Sequence, residues 1–235
     1  MNNILALGNA ACNIVESLKK YDMYNIYKIQ NDSEPSKNTY IIPELETAEE
    51  YEQLRCISKI PFIKKIKDNV TFFVCGASRS SAFSLKLLES LHKKNVKIKI
   101  VYFHTDMEFA GEQQAQQERV VRNVLQEYAR SGLFETITLV SNKILENPLA
   151  SNKTLENFVD TINVFEYYKQ INEVFCSSFH MVEVFKNTKP VMSTFSKLRE
   201  SCRIKTVGVS TLSCEDRMFF PFNQEVEVLY YLGIN

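Results

Sequence analysis

The sequence lacks several features that would assign it to a common functional class. Its 28 basic and 28 acidic residues cancel, so no overall field recruits nucleic acid or an anionic membrane. No apolar run approaches the roughly 20 residues that a membrane-spanning helix needs. The N-terminal MNNILALGN has neither a basic region nor a long apolar core, which argues against a signal peptide. We therefore expect a cytoplasmic protein with no membrane span and no nucleic-acid partner.

The sequence also offers little for metal or disulfide chemistry. The six cysteines form no CxxC pair and stand among apolar or helical residues, which predicts buried, reduced thiols. Only three histidines occur, without ligand spacing, so we expect no metal site. What the chain does have is 235 residues of which 45% are hydrophobic. That is enough for the core of one large or two small domains.

Two stretches share one pattern of strand, glycine, small polar loop and helix. In the first, an apolar strand at residues 3–7 reaches Gly8 and continues as a helix. In the second, residues 71–75 form a strand that Gly76 breaks, and apolar residues at helical intervals follow from Phe83. Such a turn aims backbone N–H groups at the helix start, where an anion is favoured. The alternative is that Gly76 only lets the chain turn.

Strands alternate with helices through most of the remaining sequence. The pattern predicts strands at residues 26–29, 96–103 and 135–140, and helices at 48–54, 111–128 and 155–185. Four lysines among apolar residues at 57–67 predict a basic loop or amphipathic helix with a solvated face. The alternation predicts an α/β fold, a Rossmann-like, doubly wound parallel sheet flanked by helices. Two last strands, at 204–210 and 226–231, predict a small antiparallel appendix.

Four passages, in this order, resemble the FtsZ/tubulin superfamily, and FtsZ more closely than tubulin. LALGNAACNIVESL is similar to the first FtsZ loop and helix, and CGASRSSAFSLKLLESL stands where FtsZ has its glycine-rich signature loop. EFAGEQQAQQERVVRNVLQEY resembles the FEGxxR segment, and TLVSNKILE with LENFVDTINVFEYYKQINEVF resembles the loop and long central helix. The resemblance implies a nucleotide-binding domain at 1–153, a long central helix at 154–187 and a reduced C-terminal β region at 188–235.

The resemblance implies a guanine-nucleotide site with a base side and a phosphate side. Asn142 matches the asparagine that contacts guanine, Tyr168 the aromatic residue that stacks on it, and Asn172 the residue that pairs with its edge. The i, i+4 spacing puts Tyr168 and Asn172 on one helix face. Asn13 matches a further base-side asparagine. The alternatives are core packing for the tyrosine, and capping or surface exposure for the asparagines.

The phosphate side departs from the family pattern. The positions that match its loops are Gly8, Gly76, Ser78, Arg79 and Ser80. Of the signature glycines only Gly76 remains, and side chains in such a loop hinder close approach of phosphate. The serine hydroxyls and the arginine can compensate with bonds of their own, or Arg79 is a surface charge. Ala110 and Gln114 replace the family's glutamate and arginine in the FEGxxR segment.

The catalytic acids of the family are missing. In the family, two carboxylates after the long helix position the attacking water, and here Thr194 and Lys197 take their places. We therefore expect no catalytic residue, and a self-assembling structural protein, a homo-oligomer or filament, for which GTP or GDP is an optional ligand. One alternative is an active GTPase that forms a dynamic filament with acids in another register, such as Glu200. The other is an unrelated Rossmann-like small-molecule enzyme whose chemistry uses Ser78, His104 and Asp106.

Overall fold

The computed structural model describes residues 2–104, 110–141, 164–187 and 202–208. The chain divides into two compact units, one of residues 1–142 with 201–207 and the other of residues 143–200 with 208–235. None of the helices in the described ranges is both long enough and apolar enough to cross a membrane.

The first unit is built on a seven-stranded sheet in the order β3-β2-β1-β4-β5-β6-β7. Every neighbouring pair of strands is parallel. The strands are β1 (Asn2–Leu7), β2 (Tyr24–Gln30), β3 (Thr39–Ile41), β4 (Asn69–Cys75), β5 (Lys97–His104), β6 (Thr136–Ser141) and β7 (Ile204–Thr206). Central parallel strands are covered on both faces and read as continuous apolar runs. Residues 72–74 of β4 show this, since all three are buried.

Helices cover both faces of this sheet. They are α1 (Asn9–Glu16), α2 (Ala48–Gln53), α3 (Ser84–His92) and α4 (Glu112–Arg130), with short 3-10 segments at Ser17–Lys20, Ile57–Lys59, Pro61–Lys64 and Arg79–Phe83. Alternate residues of the central strands form one apolar cluster with α3, α4 and the Pro61–Lys64 segment. Among the described residues none of α1 joins that cluster, although α1 contacts β1, β2 and β4. Helix α1 therefore lies on the opposite face, and the predicted α/β fold with a doubly wound sheet is confirmed.

The basic stretch at residues 57–67 has the predicted solvated face. Its apolar residues Ile60, Phe62, Ile63 and Ile66 are buried, whereas its four lysines are exposed. Tyr27 of β2 stacks on Phe62 with ring centroids 5.1 Å apart. The segment therefore anchors to the sheet through its apolar side and leaves its charges in water.

The stretch before α2, where the sequence pattern predicts neither a strand nor a helix, contains β3. Lys28 N donates to Asn38 O over 2.8 Å, and Ile42 N donates to Gln30 O over 3.0 Å, which fixes β3 beside β2. A turn then satisfies the outer side of Thr39, whose N–H and carbonyl bond to Ser36. A strand of three residues is too short to produce a periodic pattern, so the sequence gives no signal for it.

The strand that begins at Ile204 is not part of an antiparallel appendix, which corrects that prediction. It forms β7, which runs parallel to β6 and pairs Ile137 with Ile204. Arg203, just before it, donates through Nη1 to the carbonyl of Ala129 at the end of α4 over 3.4 Å. The guanidinium also occupies the space beside Gly132, which has a φ of +86°. Contacts with α4 thus fix the strand at the edge of the main sheet. The rest of the predicted C-terminal β region lies outside the described residues, and the three predicted boundaries stay a prediction.

The second unit contains the long helix that the sequence predicts. Helix α5 runs from Val164 to Asn187, and the predicted residues 155–163 lie outside the described ranges. Ile171, Phe175 and Cys176 are buried at helical spacing, whereas Tyr168 and Phe185 are about half exposed. Helix α5 therefore buries an apolar stripe at these three residues.

Candidate functional site

The two glycine-containing loops meet at the point where the strand order reverses. Counting from β1, the chain builds the sheet outward first through β2 and β3 and then through β4 to β7. Ligands of doubly wound folds bind outside the carboxyl ends of the strands at such a switch point. Leu7 pairs with Val74, so Gly8 and Gly76 begin two adjacent loops at that edge. The predicted phosphate residues thus lie where the fold favours a ligand.

Gly8 is required by both its conformation and its surroundings. Its φ of +84° lies in the region that side chains rarely adopt, and an added Cβ would stand 2.7 Å from Ser80 Oγ. Its carbonyl accepts from Cys12 N, and its own N–H donates to Ile29 O. Gly8 is the N-cap of α1, and as a glycine it supplies no side-chain cap to the first turn of that helix. The N–H groups at the start of α1 therefore point toward the crevice without a side-chain cap, as an anion site requires.

Gly76 is a glycine for a different reason. Its φ is not in the left-handed region, but an added Cβ would overlap the Cζ and hydroxyl oxygen of Tyr102 and lie 3.0 Å from Cε2. Its N–H donates to Phe103 O over 3.1 Å, so this amide already serves the sheet. Close packing with Tyr102 explains the glycine, and neither a turn nor a phosphate is needed to account for it.

Two serine hydroxyls occupy the space above Gly8. Ser78 Oγ and Ser80 Oγ are 2.7 Å apart and hydrogen-bonded to each other. Added atoms on Gly8 would contact both, at 3.4 Å and 2.7 Å. Ser80 is 8% exposed. Since one hydroxyl donates to the other, the pair keeps one O–H for an outside acceptor. The crevice therefore presents side-chain hydroxyls where a glycine loop would present only backbone.

Arg79 is committed to another part of the surface. Its Nη1 donates to the carbonyls of Leu45 and Glu46, at 3.3 Å and 2.8 Å. These residues precede α2, which begins with a capping box between Thr47 and Glu50. To bind a phosphate the guanidinium would first have to leave these carbonyls. The expected phosphate contact of Arg79 therefore stays a prediction that the observed hydrogen bonds do not favour.

Three of the four predicted base-side residues lie within the described ranges. Asn13 is exposed on α1. Tyr168 is 49% exposed, and its ring meets that of Tyr167 edge to face at 5.7 Å. Asn172 is half-buried one turn further along α5. Asn142, Asp106, Thr194, Lys197 and Glu200 lie outside the described residues. The base pocket and the absence of catalytic residues thus remain predictions.

The residues that match the family's FEGxxR segment have local roles. Gln114 Oε1 accepts from Gly111 N over 3.3 Å and so caps the start of α4. Ala110 is half-buried just before that cap. Further along α4, Gln117 Nε2 donates to Ser81 Oγ over 3.3 Å, and Ser81 Oγ donates to Gly76 O over 2.9 Å. The start of α4 is therefore tied to the loop that follows β4.

A buried carboxylate that the sequence reasoning missed lies beneath this loop. Glu118 is 1% exposed. Its Oε1 is 2.6 Å from His104 Nδ1 and 3.2 Å from Tyr102 Oη, and Tyr102 Oη is 3.0 Å from the Glu118 carbonyl. Arg122 Nε is 3.7 Å away. A buried carboxylate needs such partners, because its desolvation costs several kcal/mol.

The charges of this network follow from those contacts. Burial alone would raise the pKa of Glu118, but the hydrogen bond and charge of His104, with Arg122 and the Tyr102 hydroxyl, hold that pKa below its ordinary value. Burial, followed by the charge of Glu118, raises the pKa of Tyr102. Glu118 is thus ionised, and His104 donates through Nδ1. The sequence held one signal, since Glu118 stands in the buried helical series with Val121 and Leu125.

Comparison with known proteins shows which solved structures share the fold of this chain. No family model matches the chain, and no curated protein matches it. The solved structures do: CetZ2 from Haloferax volcanii, a GTPgS-bound protofilament, superposes with a TM-score of 0.62 at 13% identity, over 83% of this chain and 61% of that chain. The empty FtsZ dimer of M. jannaschii superposes with a TM-score of 0.59 at 12% identity, over 82% of this chain and 57% of that chain.

The chain has the FtsZ/tubulin fold. The predicted resemblance is confirmed at the level of the fold, on structural likeness at low sequence identity. The chain spans about three fifths of the length of these two solved structures. In this chain the loops after β1 and β4 begin at adjacent strand ends, and the hydroxyl side chains of Ser78 and Ser80 face Gly8.

Proposed function

We propose that this protein is an FtsZ/tubulin-like self-assembling structural protein that associates head to tail. It binds guanine nucleotide optionally and does not hydrolyse GTP. The shared fold supports assembly, since one of the two similar structures is a protofilament and the other a dimer. Heterologous contacts that do not close into a ring generate filaments.

One observation is the main support for a reduced role of nucleotide in this protein. Ser78 and Ser80 bond to each other over 2.7 Å directly above Gly8. A phosphate that approaches the start of α1 must displace this pair or accept from its single remaining O–H. Gly76 is the one glycine that remains of the signature loop, and its amide N–H donates to Phe103 O. The carboxylates that the family uses for hydrolysis have no counterpart at Thr194 and Lys197, so binding and turnover both lose support.

Sedimentation with and without GTP tests the assembly. We expect the purified protein to pellet equally in both conditions, and to release no phosphate from GTP above background. Pelleting that requires GTP, together with steady phosphate release, would favour the active GTPase instead. A protein that stays monomeric at every concentration and salt tested would contradict the assembly role itself.

A glycine variant at Ser80 tests directly whether the serine pair limits nucleotide binding. Ser80→Gly removes the hydroxyl nearest Gly8, and we expect it to bind GTP more tightly than the wild type in a titration with a fluorescent analogue. Ser33→Gly is the matched control, because Ser33 is exposed and bonds only to the adjacent Glu34 carbonyl. Equal affinities of Ser80→Gly, Ser33→Gly and the wild type would show that the serine pair does not limit nucleotide binding.

The small-molecule enzyme has less support. Ser78 Oγ bonds to Ser80 and His104 Nδ1 bonds to Glu118, so within the described ranges no serine is hydrogen-bonded to this histidine. A serine nucleophile needs a base within hydrogen-bond reach. That pairing therefore gives no reason to prefer an acyl- or phosphoryl-transfer enzyme.

A further inference from the structure

We propose that His104 is an anion-binding side chain of the switch-point crevice, and that the buried Glu118 is the residue that positions it. The ligand is the phosphate group of a nucleotide. The inference rests on the proposed binding of nucleotide at this crevice, and it assigns a role to two residues outside both glycine-containing loops.

The register of the sheet places His104 at the edge of the crevice. Cys75 pairs with Phe103, and Gly76 N donates to Phe103 O, so His104 lies beside Gly76 at the carboxyl end of β5. Neighbouring strands are about 4.8 Å apart, which puts His104 about 10 Å from Gly8 across β4. A nucleoside triphosphate is long enough to contact the start of α1 and His104 together.

The orientation of the imidazole is fixed from below. Glu118 accepts from Nδ1 over 2.6 Å, and its own position is held by Tyr102 Oη and by its place on α4. Nε2 is on the opposite edge of the ring. Among the described residues Nε2 has no hydrogen-bond partner, and the side chain is 25% exposed. A carboxylate behind a histidine commonly fixes the ring so that the other nitrogen meets a ligand.

In the described loops after β1 and β4, the one cationic side chain, Arg79, is already engaged elsewhere. Arg79 bonds to the carbonyls of Leu45 and Glu46, and the Ser78–Ser80 pair offers a single neutral O–H. An imidazolium supplies both a donor and a positive charge, and a charge-assisted bond is roughly twice as strong as a neutral one. With Nδ1 donating to Glu118, Nε2 also donates to a phosphate when the ring is an imidazolium.

Two amide replacements of His104 separate its two nitrogens. The amide of asparagine reaches about as far as Nδ1, and that of glutamine about as far as Nε2. His104→Asn should therefore keep the bond to Glu118 and lose the ligand, whereas His104→Gln should retain part of the ligand contact. The matched control is His92→Asn, because His92 is exposed at the end of α3.

Calorimetric titration with GTP, pyrophosphate and guanosine provides the measurement. We expect His104→Asn to weaken GTP and pyrophosphate on the order of tenfold or more, as loss of a hydrogen bond to a charged group does. Guanosine affinity should not change. Glu118→Gln should weaken the same two ligands by less, since it leaves the imidazole present but poorly oriented. His92→Asn should match the wild type throughout.

The outcomes separate this inference from the proposed function. If His104→Asn binds pyrophosphate as the wild type does, His104 contacts no anion and the inference is overturned, while assembly stands. Equal losses for guanosine and GTP would indicate a structural role and also overturn it. A wild type that binds neither GTP nor pyrophosphate overturns the inference and the optional nucleotide together, and sedimentation still tests assembly.

A measurement on the wild type does not depend on whether the variants fold. Nitrogen-15 NMR of the imidazoles should show the Nε2 signal of His104 moving on addition of pyrophosphate, with the signals of His92 unchanged. A His104 signal that does not move at saturating pyrophosphate contradicts the proposal, whatever the variants do.

Discussion

Replacing Gly76 by alanine should destabilise the protein strongly, without any nucleotide being present. The new Cβ would overlap Cζ and Oη of Tyr102, a residue that is 0% exposed. Overpacking of this kind costs about 1–3 kcal/mol. Tyr102 cannot move aside without giving up its bonds to the carbonyl and carboxylate of Glu118, which adds about 1–3 kcal/mol for buried groups left unpaired. We therefore expect the free energy of unfolding to fall by about 2–6 kcal/mol.

Urea unfolding followed by circular dichroism measures this loss, and a double-mutant cycle assigns its cause. Tyr102→Leu removes the hydroxyl oxygen and the two ring atoms nearest the new Cβ, so Gly76→Ala should cost at least about 1 kcal/mol less in that background than in the wild type. Tyr102→Phe removes only the hydroxyl and should relieve less. Gly111→Ala is the control, because nothing lies within 4 Å of an added Cβ at Gly111.

Two results would refute the reasoning. The first is a Gly76→Ala protein within about 0.5 kcal/mol of the wild type, the range of ordinary surface changes. The second is a cost that stays the same in the Tyr102→Leu background, since the loss would then come from the backbone or from the loop. After either result, phosphate binding would again be the better explanation for Gly76, as its place in the sequence suggests.

Three further changes test other parts of the site. Gly8→Ala should lower the free energy of unfolding by about 1–3 kcal/mol in urea titrations, because the φ of Gly8 is positive. Adding Ser80→Ala to that variant should recover only the part due to the clash with Ser80 Oγ, and full recovery would contradict this explanation. Glu118 has a lowered pKa, so it stabilises the fold above its ordinary pKa and loses this contribution as the pH falls through its folded value. Glu118→Gln should flatten the acid side of a stability-against-pH curve, and an unchanged slope would refute the argument. Burial raises the pKa of Cys12 to about 12, so a thiol reagent should label Cys12 only in urea, as peptide mapping would show; rapid labelling of the native protein would refute its burial.

The parallel sheet could be predicted because its signals are local and redundant. Residues 72–74 form a continuous apolar run that ends at a glycine, and the same pattern ends at Gly8. Strands followed by helices leave few arrangements other than a doubly wound sheet. β3 could not be predicted, since its three residues are held by Lys28, Gln30 and a turn rather than by a pattern of their own.

The side-chain contacts within the site were harder to predict from the sequence than the location of the site. The positions of Gly8 and Gly76 follow from their places at strand ends, but the reason for Gly76 is Tyr102, which lies on another strand. Glu118 and His104 are 14 residues apart and meet only because α4 packs on β5. Arg79 has the composition of a phosphate ligand, and its bonds to Leu45 and Glu46 depend on a loop whose path the sequence does not reveal. Side-chain partners of this kind are set by tertiary structure.

The late position of β7 in the chain has a consequence during synthesis. Its partner β6 ends at Ser141, and β7 begins at Ile204, about 60 residues later. At 5–20 residues per second the ribosome needs roughly 3–12 s to make that stretch. Throughout this time the edge of β6 that β7 will cover has unpaired backbone groups, a template for pairing with another nascent chain. The nascent chain is therefore most exposed to wrong pairing in this interval, and holding chaperones would be expected to act at this edge.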